Sequence, residues 1–345
     1  MTLAQEQISV VGATGAVGQE ILGLLSERGI PASSVRAYAS PRSAGKTLLF
    51  GADELTIRSI ESLGDDTHTV VLLAASASIA RNIGPVLVER GAVVVDNSSA
   101  FRGDEDKALI IPEANGDLVR ADRTPRIIAN PNCSTIIMLV AATPIERAFG
   151  VERIIVSTYQ AASGAGLEGM NELRHQTRTV LDGNEPKPSF FAEPCAFNVF
   201  SHDSDIDPET RLNVEESKMI SETRKIWDRP NLIVRPTCMR VPVLRAHAES
   251  LHLTLRTPAS PSEIRKILSE APGVRLEDDW AQNSFPTSAK ASGGSDVLVG
   301  RVRIDPSVNP QPDGRAGACE LFVSGDQLLK GAALNAVQIA ELVLA

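Results

Sequence analysis

The stretch that decides the fold lies near the start of the chain and runs Val10-Val11-Gly12-Ala13-Thr14-Gly15-Ala16-Val17-Gly18. The short apolar run Gln7–Val11 predicts a buried strand, and the apolar spacing within Ala16–Glu27 predicts a helix after it. Glycines between the two permit a tight turn and a close approach of the backbone to a phosphate, which the start of a helix attracts. The turn therefore predicts a dinucleotide site. Because the spacing is G-x-x-G-x-x-G rather than G-x-G-x-x-G, a glycine-rich turn without a ligand is the alternative.

Working outward, strands and helices alternate up to about residue 130, which is typical of βαβ units and a parallel sheet. A change of pattern follows, because the later strands are longer and bunched, which predicts an α+β domain with a mixed sheet. The predicted strands are Val35–Ala39, Val70–Ala74, Ala92–Asp96, Ile127–Ala129, Arg153–Tyr159, Leu232–Val234, Val241–Leu255 and Val297–Ile304. The predicted helices are Ser78–Arg90, Ser134–Phe149, Leu167–Leu181, Val214–Trp227 and an amphipathic Gln327–Leu344, and the predicted loops are Asn283–Ser295 and Asn309–Gly317.

Composition narrows the class of protein. The chain has 345 residues, 43% hydrophobic and 22% charged, which suits two globular domains. No apolar run approaches the ~20 residues of a membrane span, and the polar residues Met1–Gln7 predict no secretory signal. The net charge of −9 argues against nucleic acid or an anionic membrane as a partner. An anionic substrate would therefore need cations concentrated at its site.

The four cysteines are Cys133, Cys195, Cys238 and Cys319. They lie far apart and form no C-x-x-C pair, so we expect no metal site, and reduced thiols in a cytoplasmic protein are the simplest interpretation.

The end of the second predicted strand indicates which nucleotide binds. An NAD site usually has an acidic residue there for the ribose hydroxyl. This chain instead has Ser40-Pro41-Arg42-Ser43-Ala44-Gly45-Lys46, in which an arginine stands between two hydroxyls and no carboxylate is present. That arrangement suits a 2′-phosphate and predicts NADP, the alternative being an ordinary solvated basic loop.

A candidate nucleophile lies in Asn130-Pro131-Asn132-Cys133-Ser134-Thr135, just before a strongly apolar helix. Asn132 is a good N-cap candidate, which would place Cys133 in the first helical turn. The helix dipole and free N–H groups would lower the pKa of the thiol toward neutrality and could stabilise an oxyanion. A buried structural cysteine is the alternative, and it is our interpretation of the other three cysteines.

At this point the sequence resembles the bacterial aspartate-semialdehyde dehydrogenases along nearly its whole length. Each motif is weak or moderate alone, but all of them in this order are specific. In addition to Gly12–Gly18 and Asn130–Thr135, the motifs are Asp96-Asn97-Ser98-Ser99-Ala100-Phe101-Arg102, Ser157-Thr158-Tyr159-Gln160-Ala161-Ala162-Ser163-Gly164-Ala165-Gly166, Glu215-Glu216-Ser217-Lys218, Val299-Gly300-Arg301-Val302-Arg303 and Lys330-Gly331-Ala332-Ala333-Leu334-Asn335.

The resemblance implies reduction of aspartyl phosphate to aspartate semialdehyde by NADPH, a reaction that supplies lysine, threonine, methionine and diaminopimelate. It implies that Cys133 is the nucleophile, that Gln160 orients the acyl group, and that His247, with a pKa near neutrality, is the acid/base. Substrate would be bound by Asn132, by Arg240 at its carboxylate, by Glu215 at its amine, and by Arg102 and Lys218 at its phosphate. The implied cofactor residues are Gly12, Ala13, Thr14, Gly15, Ala16, Val17, Ser40, Arg42, Ser43, Ser76, Ser163, Gly164 and Asn335.

The fold class predicted in this way is an α/β Rossmann-type NADP-binding domain plus an α+β catalytic and dimerisation domain with a mixed sheet. Residues 1–130 and the C-terminal helix 326–345 would form the first domain, and residues 131–325 the second. The family is usually dimeric or tetrameric, so we expect a homodimer.

Two segments depart from the family pattern. The stretch Phe197-Asn198-Val199-Phe200-Ser201-His202 lacks a usual proline, and Leu329 stands where an arginine is expected. His202, with His68, His175 and His252, is interpreted as an ordinary hydrogen-bonded histidine.

Competing hypotheses are an enzyme like N-acetylglutamyl-phosphate reductase, a glyceraldehyde-3-phosphate dehydrogenase and a non-catalytic NADP-binding paralogue. The setting of Cys133 counts against the first two, and the presence of both Cys133 and His247 against the third.

Overall fold

The computed structural model describes residues 3–66 and 68–345. The chain divides into two compact units. The N-terminal unit extends to Pro131 and resumes at Ala332–Ala345, and the second unit is Asn132–Gly331. In the described part of the chain, no helix combines the length and the apolar character needed to cross a membrane.

An eight-stranded sheet forms the centre of the N-terminal unit, in the order β3-β4-β2-β1-β5-β6-β8-β7. All neighbours are parallel except the β3–β4 pair. The strands are β1 Ile8–Val11, β2 Val35–Ala39, β3 Thr47–Phe50, β4 Asp53–Ser59, β5 Val70–Leu73, β6 Val93–Asp96, β7 Ala108–Leu109 and β8 Arg126–Ala129. The helices are α1 Ala16–Glu27, α2 Ala77–Glu89 and α3 Pro112–Asn115.

The strand order places a nucleotide-binding edge at the end of β1. This strand lies between β2 and β5, so the chain leaves it first to one side and later to the other. Val11 pairs with Tyr38 on one side and with Leu73 on the other, so the carboxyl ends of the three strands coincide. In open α/β sheets, ligands bind at such a reversal of strand order. The Rossmann-type prediction for this unit is confirmed.

A seven-stranded mixed sheet forms the second unit, in the order β10-β11-β9-β12-β15-β14-β13. Its strands are β9 Val151–Gln160, β10 Phe200–Ser201, β11 Ile233–Arg240, β12 His247–Ala259, β13 Val274–Leu276, β14 Val297–Ile304 and β15 Ala316–Gly325. Its helices are α4 Cys133–Phe149, α5 Gly166–Leu181, α6 Val214–Ile226, α7 Pro261–Ser269 and α8 Ser288–Ala291. The mixed sheet confirms the α+β prediction.

Helix α4 is the apolar centre of the second unit. Every residue from Ser134 to Thr143 is buried, as expected for a helix that is apolar on all sides. It packs on the sheet so closely that a Cβ added at Gly325 would lie 2.9 Å from Ile137. The start of this helix, which carries Cys133, is thereby held by the core rather than by a loop.

Several predicted boundaries are wrong, for local reasons. Residues 241–246 are not strand, because carbonyls of Val243 and Leu244 instead accept hydrogen bonds from the backbone of Ala162 and Ser163. The last helix, α9, is Leu334–Leu344, and a π-helical turn at Leu329–Ala333 precedes it. The N-terminal unit resumes at Ala332, and the predicted domain limits at residues 130 and 326 stay predictions. Strands β3, β4, β7, β10, β13 and β15 were not predicted, and β11 is longer than predicted.

Candidate active site

The second sheet arranges polar side chains in two successive rows on the face that α4 covers. Arg240 of β11 pairs with Gln160 of β9, and His247 follows at the start of β12. In the next row Cys238 pairs with Thr158, which pairs with Glu249. Because alternate residues of a strand share a face, the two rows lie one behind the other.

Cys133 is the first residue of α4, and Asn132 is its N-cap, as predicted. The Oδ1 atom of Asn132 accepts hydrogen bonds from the N–H groups of Ser134 (3.0 Å) and Thr135 (3.2 Å). The backbone N–H of Asn132 donates to Glu222 Oε2 at 2.6 Å. The cap is therefore held on two sides, and the thiol is presented at the positive end of a rigid helix.

The other three cysteines are buried, whereas Cys133 is partly exposed. Burial raises the pKa of the Cys195 thiol to about 11 and that of Cys319 to about 12, and it raises the pKa of Cys238 as well. These three remain protonated at neutral pH, as befits structural cysteines. Cys133 is the only accessible candidate nucleophile among the four.

Glu215, at the start of α6, is the hub of the polar contacts. Its Oε1 accepts hydrogen bonds from Asn132 Nδ2 (2.7 Å) and Gln160 Nε2 (3.1 Å), and Lys218 Nζ lies 3.3 Å from its Oε2. Burial alone would raise the pKa of this carboxyl, but Lys218, His202 and the two hydrogen bonds outweigh it and lower the pKa to about 2. A permanent negative charge at this point suits recognition of an ammonium group.

His247 is fully buried, and its Nδ1 accepts a hydrogen bond from the backbone N–H of Ala161 at 3.0 Å. The proton of a neutral imidazole must then be on Nε2, which has no protein partner among the described residues. The expectation of a near-neutral pKa is wrong. Burial, reinforced by the charge of Arg240, lowers the pKa of His247 to about 3, so at neutral pH it is an uncharged N–H donor.

The space beside Nε2 is kept open by Gly164. A Cβ there would lie 3.1 Å from both Nε2 and Cε1 of His247 and 3.5 Å from Nη1 of Arg240. Ser163, its neighbour, accepts a hydrogen bond from Gln327 Nε2. A side chain at residue 164 would therefore crowd the imidazole of His247 and the guanidinium of Arg240.

Arg240 is almost completely buried and is held by several contacts. Nη1 donates to the carbonyl of Ala161 at 2.9 Å, and Nη2 lies 3.0 Å from His202 Nε2 and 3.4 Å from Asp203 Oδ1. The guanidinium also lies over the Phe191 ring, 5.3 Å from its centroid. The sequence interpretation of His202 as an ordinary histidine missed this contact, although the segment that carries it was marked as a departure from the family.

Glu249 is a second residue that the sequence analysis missed. It is fully buried in β12, and neither carboxyl oxygen has a hydrogen-bond partner among the described residues. Burial, with the nearby charge of Glu215, raises its pKa well above the ordinary value. The carboxyl is therefore protonated in the folded protein at a pH at which it is ionised in the unfolded chain.

We predict that Glu249 makes the second unit less stable as the pH rises. Above the unfolded pKa of about 4.5 the folded state keeps a proton that the unfolded state releases, so the free energy of unfolding falls by about 1.4 kcal/mol per pH unit. The decline continues until the folded carboxyl ionises. Denaturant midpoints measured between about pH 5 and about pH 8 should fall more steeply for the wild type than for Glu249→Gln. Parallel curves would contradict the prediction, and Glu320→Gln on β15 is the control.

In the N-terminal unit the glycine turn has the form that a nucleotide requires. Gly12 has φ of +84°, and a Cβ there would lie 2.1 Å from the carbonyl oxygen of Ala74, while one at Gly18 would lie 2.2 Å from the carbonyl oxygen of Gly12. Gly15 is the N-cap of α1 and provides no side-chain cap. The turn also contains Ala13, Thr14, Ala16 and Val17. It therefore places backbone N–H groups without large side chains at the start of α1, an arrangement that fits a pyrophosphate.

The other predicted cofactor residues of this unit lie at strand ends or inside it. Ser40 and Arg42 are exposed after β2 with Ser43 beside them, and Ser76 is the exposed N-cap of α2 after β5. Asn335 is fully buried, and its Nδ2 donates to Asn130 Oδ1 (2.6 Å) and the carbonyl of Ile110 (3.0 Å). Arg102, which was predicted to bind the substrate phosphate, donates from Nη2 to the carbonyl of Asn97 at 2.8 Å. The two hydrogen bonds of Asn335 thus give it a structural role, and its role beside the cofactor stays a prediction.

Known proteins of one family match both units of the chain. Residues 7–121 match the family described as "Semialdehyde dehydrogenase, NAD binding domain", and residues 143–330 match "Semialdehyde dehydrogenase, dimerisation domain". The chain is similar to the aspartate-semialdehyde dehydrogenase of Synechocystis, with 44% identity over 98% of this chain and 97% of the relative. That of Bacillus subtilis is 42% identical over 97% and 96% of the two chains. The crystal structure of aspartate semialdehyde dehydrogenase II complexed with ASA from Vibrio cholerae has a TM-score of 0.91 and 39% identity, over 98% of each chain.

Proposed function

The chain belongs to the aspartate-semialdehyde dehydrogenase family, and we propose that it reduces L-aspartyl 4-phosphate to L-aspartate 4-semialdehyde with NADPH, releasing phosphate. The observation that carries the proposal is the position of Cys133 at the capped start of α4. The side chain of the N-cap residue Asn132 donates to Glu215, and Gln160 donates to the same carboxylate. One reactive thiol stands beside groups suited to an amino-acid substrate. The aspartate semialdehyde formed in this reaction feeds the synthesis of lysine, threonine, methionine and diaminopimelate in the cytoplasm.

The thiolate of Cys133 attacks the acyl carbon, the bond to phosphate breaks, and a thioester forms. The nicotinamide cofactor, when bound, supplies the hydride that reduces this thioester. The resulting hemithioacetal collapses to the aldehyde and returns the thiolate. The reaction passes through the same thioester on Cys133 in both directions. Phosphate is therefore required for the reverse reaction, in which the aldehyde is oxidised.

The other residues each bind or orient a different group of the substrate. Gln160 orients the acyl group beside the thiol, and the N–H groups at the start of α4 stabilise the oxyanion. His247 enters as an N–H donor, and negative charge developing on the substrate oxygen favours its protonated form, so that it acts as the acid/base. Glu215 binds the ammonium group and Arg240 the carboxylate. Lys218 and Arg102 receive the phosphate, which supplies local cations in a chain of net charge −9.

The cofactor is NADP rather than NAD, on the strength of Arg42 between Ser40 and Ser43 at the end of β2. We predict that Arg42→Glu weakens NADP binding by about 100-fold while changing NAD binding less than about threefold, because only NADP carries the 2′-phosphate that would face the new carboxylate. Fluorescence titration of each nucleotide measures both constants. Arg120→Glu, an exposed change in the same unit, is the control, and equal losses for the two nucleotides would refute the assignment.

A homodimer formed through the second sheet is also part of the proposal. The face opposite α4 carries Ile155, Tyr159 and Ile233, which are 38–48% exposed, and Tyr159 lies against Phe322. A second copy of the chain is the occupant we propose, since the matched family domain is described as a dimerisation domain. Sedimentation should give the mass of at least two chains, and a monomer at micromolar concentration would contradict this.

The assay that tests the function mixes enzyme with aspartate semialdehyde, NADP and inorganic phosphate and follows NADPH absorbance. Sustained NADPH formation should require all three, and N-acetylglutamate semialdehyde should be a poor replacement for aspartate semialdehyde. A rate that is absent with phosphate, or higher with the acetylated compound, would overturn the proposed function.

A further inference from the structure

The segment that follows β10 brings His202 against the buried arginine of the substrate site. In β10, Phe200 pairs with Arg240 and Ser201 with Met239 of β11, and the N–H of His202 donates to the carbonyl of Cys238 at 2.9 Å. The imidazole is thus held beside β11 by backbone pairing. Its side chain is only 14% exposed.

The contacts of this imidazole define where its proton lies. Arg240 Nη2 is 3.0 Å from His202 Nε2, and a guanidinium can only donate, so Nε2 must carry a lone pair. The proton is then on Nδ1, which lies 3.1 Å from Ser204 Oγ and can donate to it. The backbone N–H of Ser204 also points toward Nδ1, at a longer 3.3 Å, and a proton on Nδ1 excludes that contact as a hydrogen bond. Ser204 Oγ in turn accepts from the N–H of Glu215 at 3.3 Å.

His202 therefore stands between the two residues that we assign to the substrate carboxylate and ammonium groups. Nη1 of Arg240 is held by the carbonyl of Ala161 and Nη2 by His202, which leaves the guanidinium one orientation. Protonation of His202 would place an N–H group 3.0 Å from a donor of Arg240, and two donors at that distance repel.

We propose that His202 is a positioning residue that, as a neutral imidazole, aims Arg240 at the substrate carboxylate and releases it on protonation. The inference rests on the proposed function, because it takes Arg240 as the carboxylate ligand. It assigns this role to the segment in which the chain departs from its family.

The surroundings of His202 set the direction of its pH dependence. Burial lowers the pKa of His202, and the charges of Arg240 and Lys218 act in the same direction, whereas Glu215 and Asp203 act against them. His247, the remaining titratable neighbour, is neutral. Because the net effect is a lowered pKa, His202 is neutral at pH 7, and substrate binding should weaken only as the pH falls through that lowered value.

The kinetic test compares His202→Ala with His202→Gln. Alanine removes the acceptor, so KM for aspartate semialdehyde should rise about tenfold at pH 7, with KM for NADP and kcat within about twofold of the wild type. Glutamine offers an amide oxygen near the position of Nε2 but does not titrate. It should restore most of the lost affinity and abolish the acid limb that the wild type shows in kcat/KM for aspartate semialdehyde.

The outcomes separate this inference from the proposed function. A wild-type enzyme without phosphate-dependent NADPH formation would refute the function. An active wild type with an unchanged KM in His202→Ala, an equal rise in KM for NADP, or an unaltered acid limb in His202→Gln would refute the inference. His175→Gln, an exposed histidine on α5, is the matched control.

A spectroscopic measurement needs no turnover. Selective ¹⁵N labelling gives signals for the five histidines, and the set missing from His202→Gln belongs to His202. We expect the Nδ1–H tautomer at pH 7, and because the pKa of His202 is lowered, its imidazole should stay neutral below the ordinary histidine pKa of about 6.5. An Nε2–H tautomer would overturn the inference.

Discussion

Replacing Cys133 by alanine should reduce phosphate-dependent NADPH formation by about 10⁴-fold or more. The thiol supplies the only covalent bond that carries the acyl group between phosphate and aldehyde, and no neighbouring group can take its place. Alanine is a good helix former and leaves the Asn132 cap intact, so the change should remove the nucleophile without opening α4. Steady-state rates with saturating aspartate semialdehyde, NADP and phosphate measure the loss.

Cys319→Ala is the matched control, because Cys319 is fully buried and its thiol has a raised pKa. It should keep most of the activity even if it lowers stability. Both variants should bind NADP as the wild type does. If Cys133→Ala kept more than a few per cent of the activity, the covalent mechanism would be wrong while the nucleotide assignment could stand.

Replacing Arg240 by leucine should lower kcat/KM for aspartate semialdehyde by about 10³-fold, mainly through KM. Arg240 is only 3% exposed, and removing one member of a buried charged contact commonly costs about 2–5 kcal/mol. Arg240→Lys should lose less, since it keeps a charge but not the two-pronged geometry that a carboxylate matches. Initial rates at varied aspartate semialdehyde and fixed NADP measure both.

Loss of folding is separated from loss of binding by two further measurements on the Arg240 variants. The dissociation constant of NADP and the thermal midpoint show whether the protein remains intact, because most of the proposed nucleotide residues, including those from Gly12 to Ser76, lie in the other unit. An intact Arg240→Leu protein with an unchanged KM for aspartate semialdehyde would remove Arg240 from the substrate site and with it the basis for the role of His202.

Local sequence patterns were sufficient to predict those parts of the fold that depend only on residues close together in the chain. The glycine turn, the strand Val35–Ala39 and the Asn132 cap follow from backbone geometry and side-chain chemistry within a few residues. The hairpin β3–β4 was missed because its residues are largely exposed and include Asp53 and Glu54, which strands disfavour. The last helix was placed too early because a separate turn precedes it, in which Asp326 accepts from the N–H groups of Leu328 and Leu329 and a π-helical turn follows at Leu329–Ala333.

Electrostatics of the site could not be predicted from the sequence, because burial and partners are tertiary properties. His247 was expected to titrate near neutrality, yet complete burial lowers its pKa to about 3. Glu249 resembles any strand glutamate in the sequence, and only the sheet reveals that its carboxyl is buried without a partner among the described residues. His202 and Arg240 are 38 positions apart and meet because β10 pairs with β11.

The most direct test of the covalent mechanism omits phosphate. Enzyme mixed with aspartate semialdehyde and NADP alone should form one NADPH per active site in a burst and then stop, because the thioester on Cys133 has no phosphate to release it. Mass spectrometry of the quenched protein should find one aspartyl group, on the peptide that contains Cys133, and adding phosphate should remove it. A burst without an adduct, or an adduct on Cys195, Cys238 or Cys319, would contradict the mechanism.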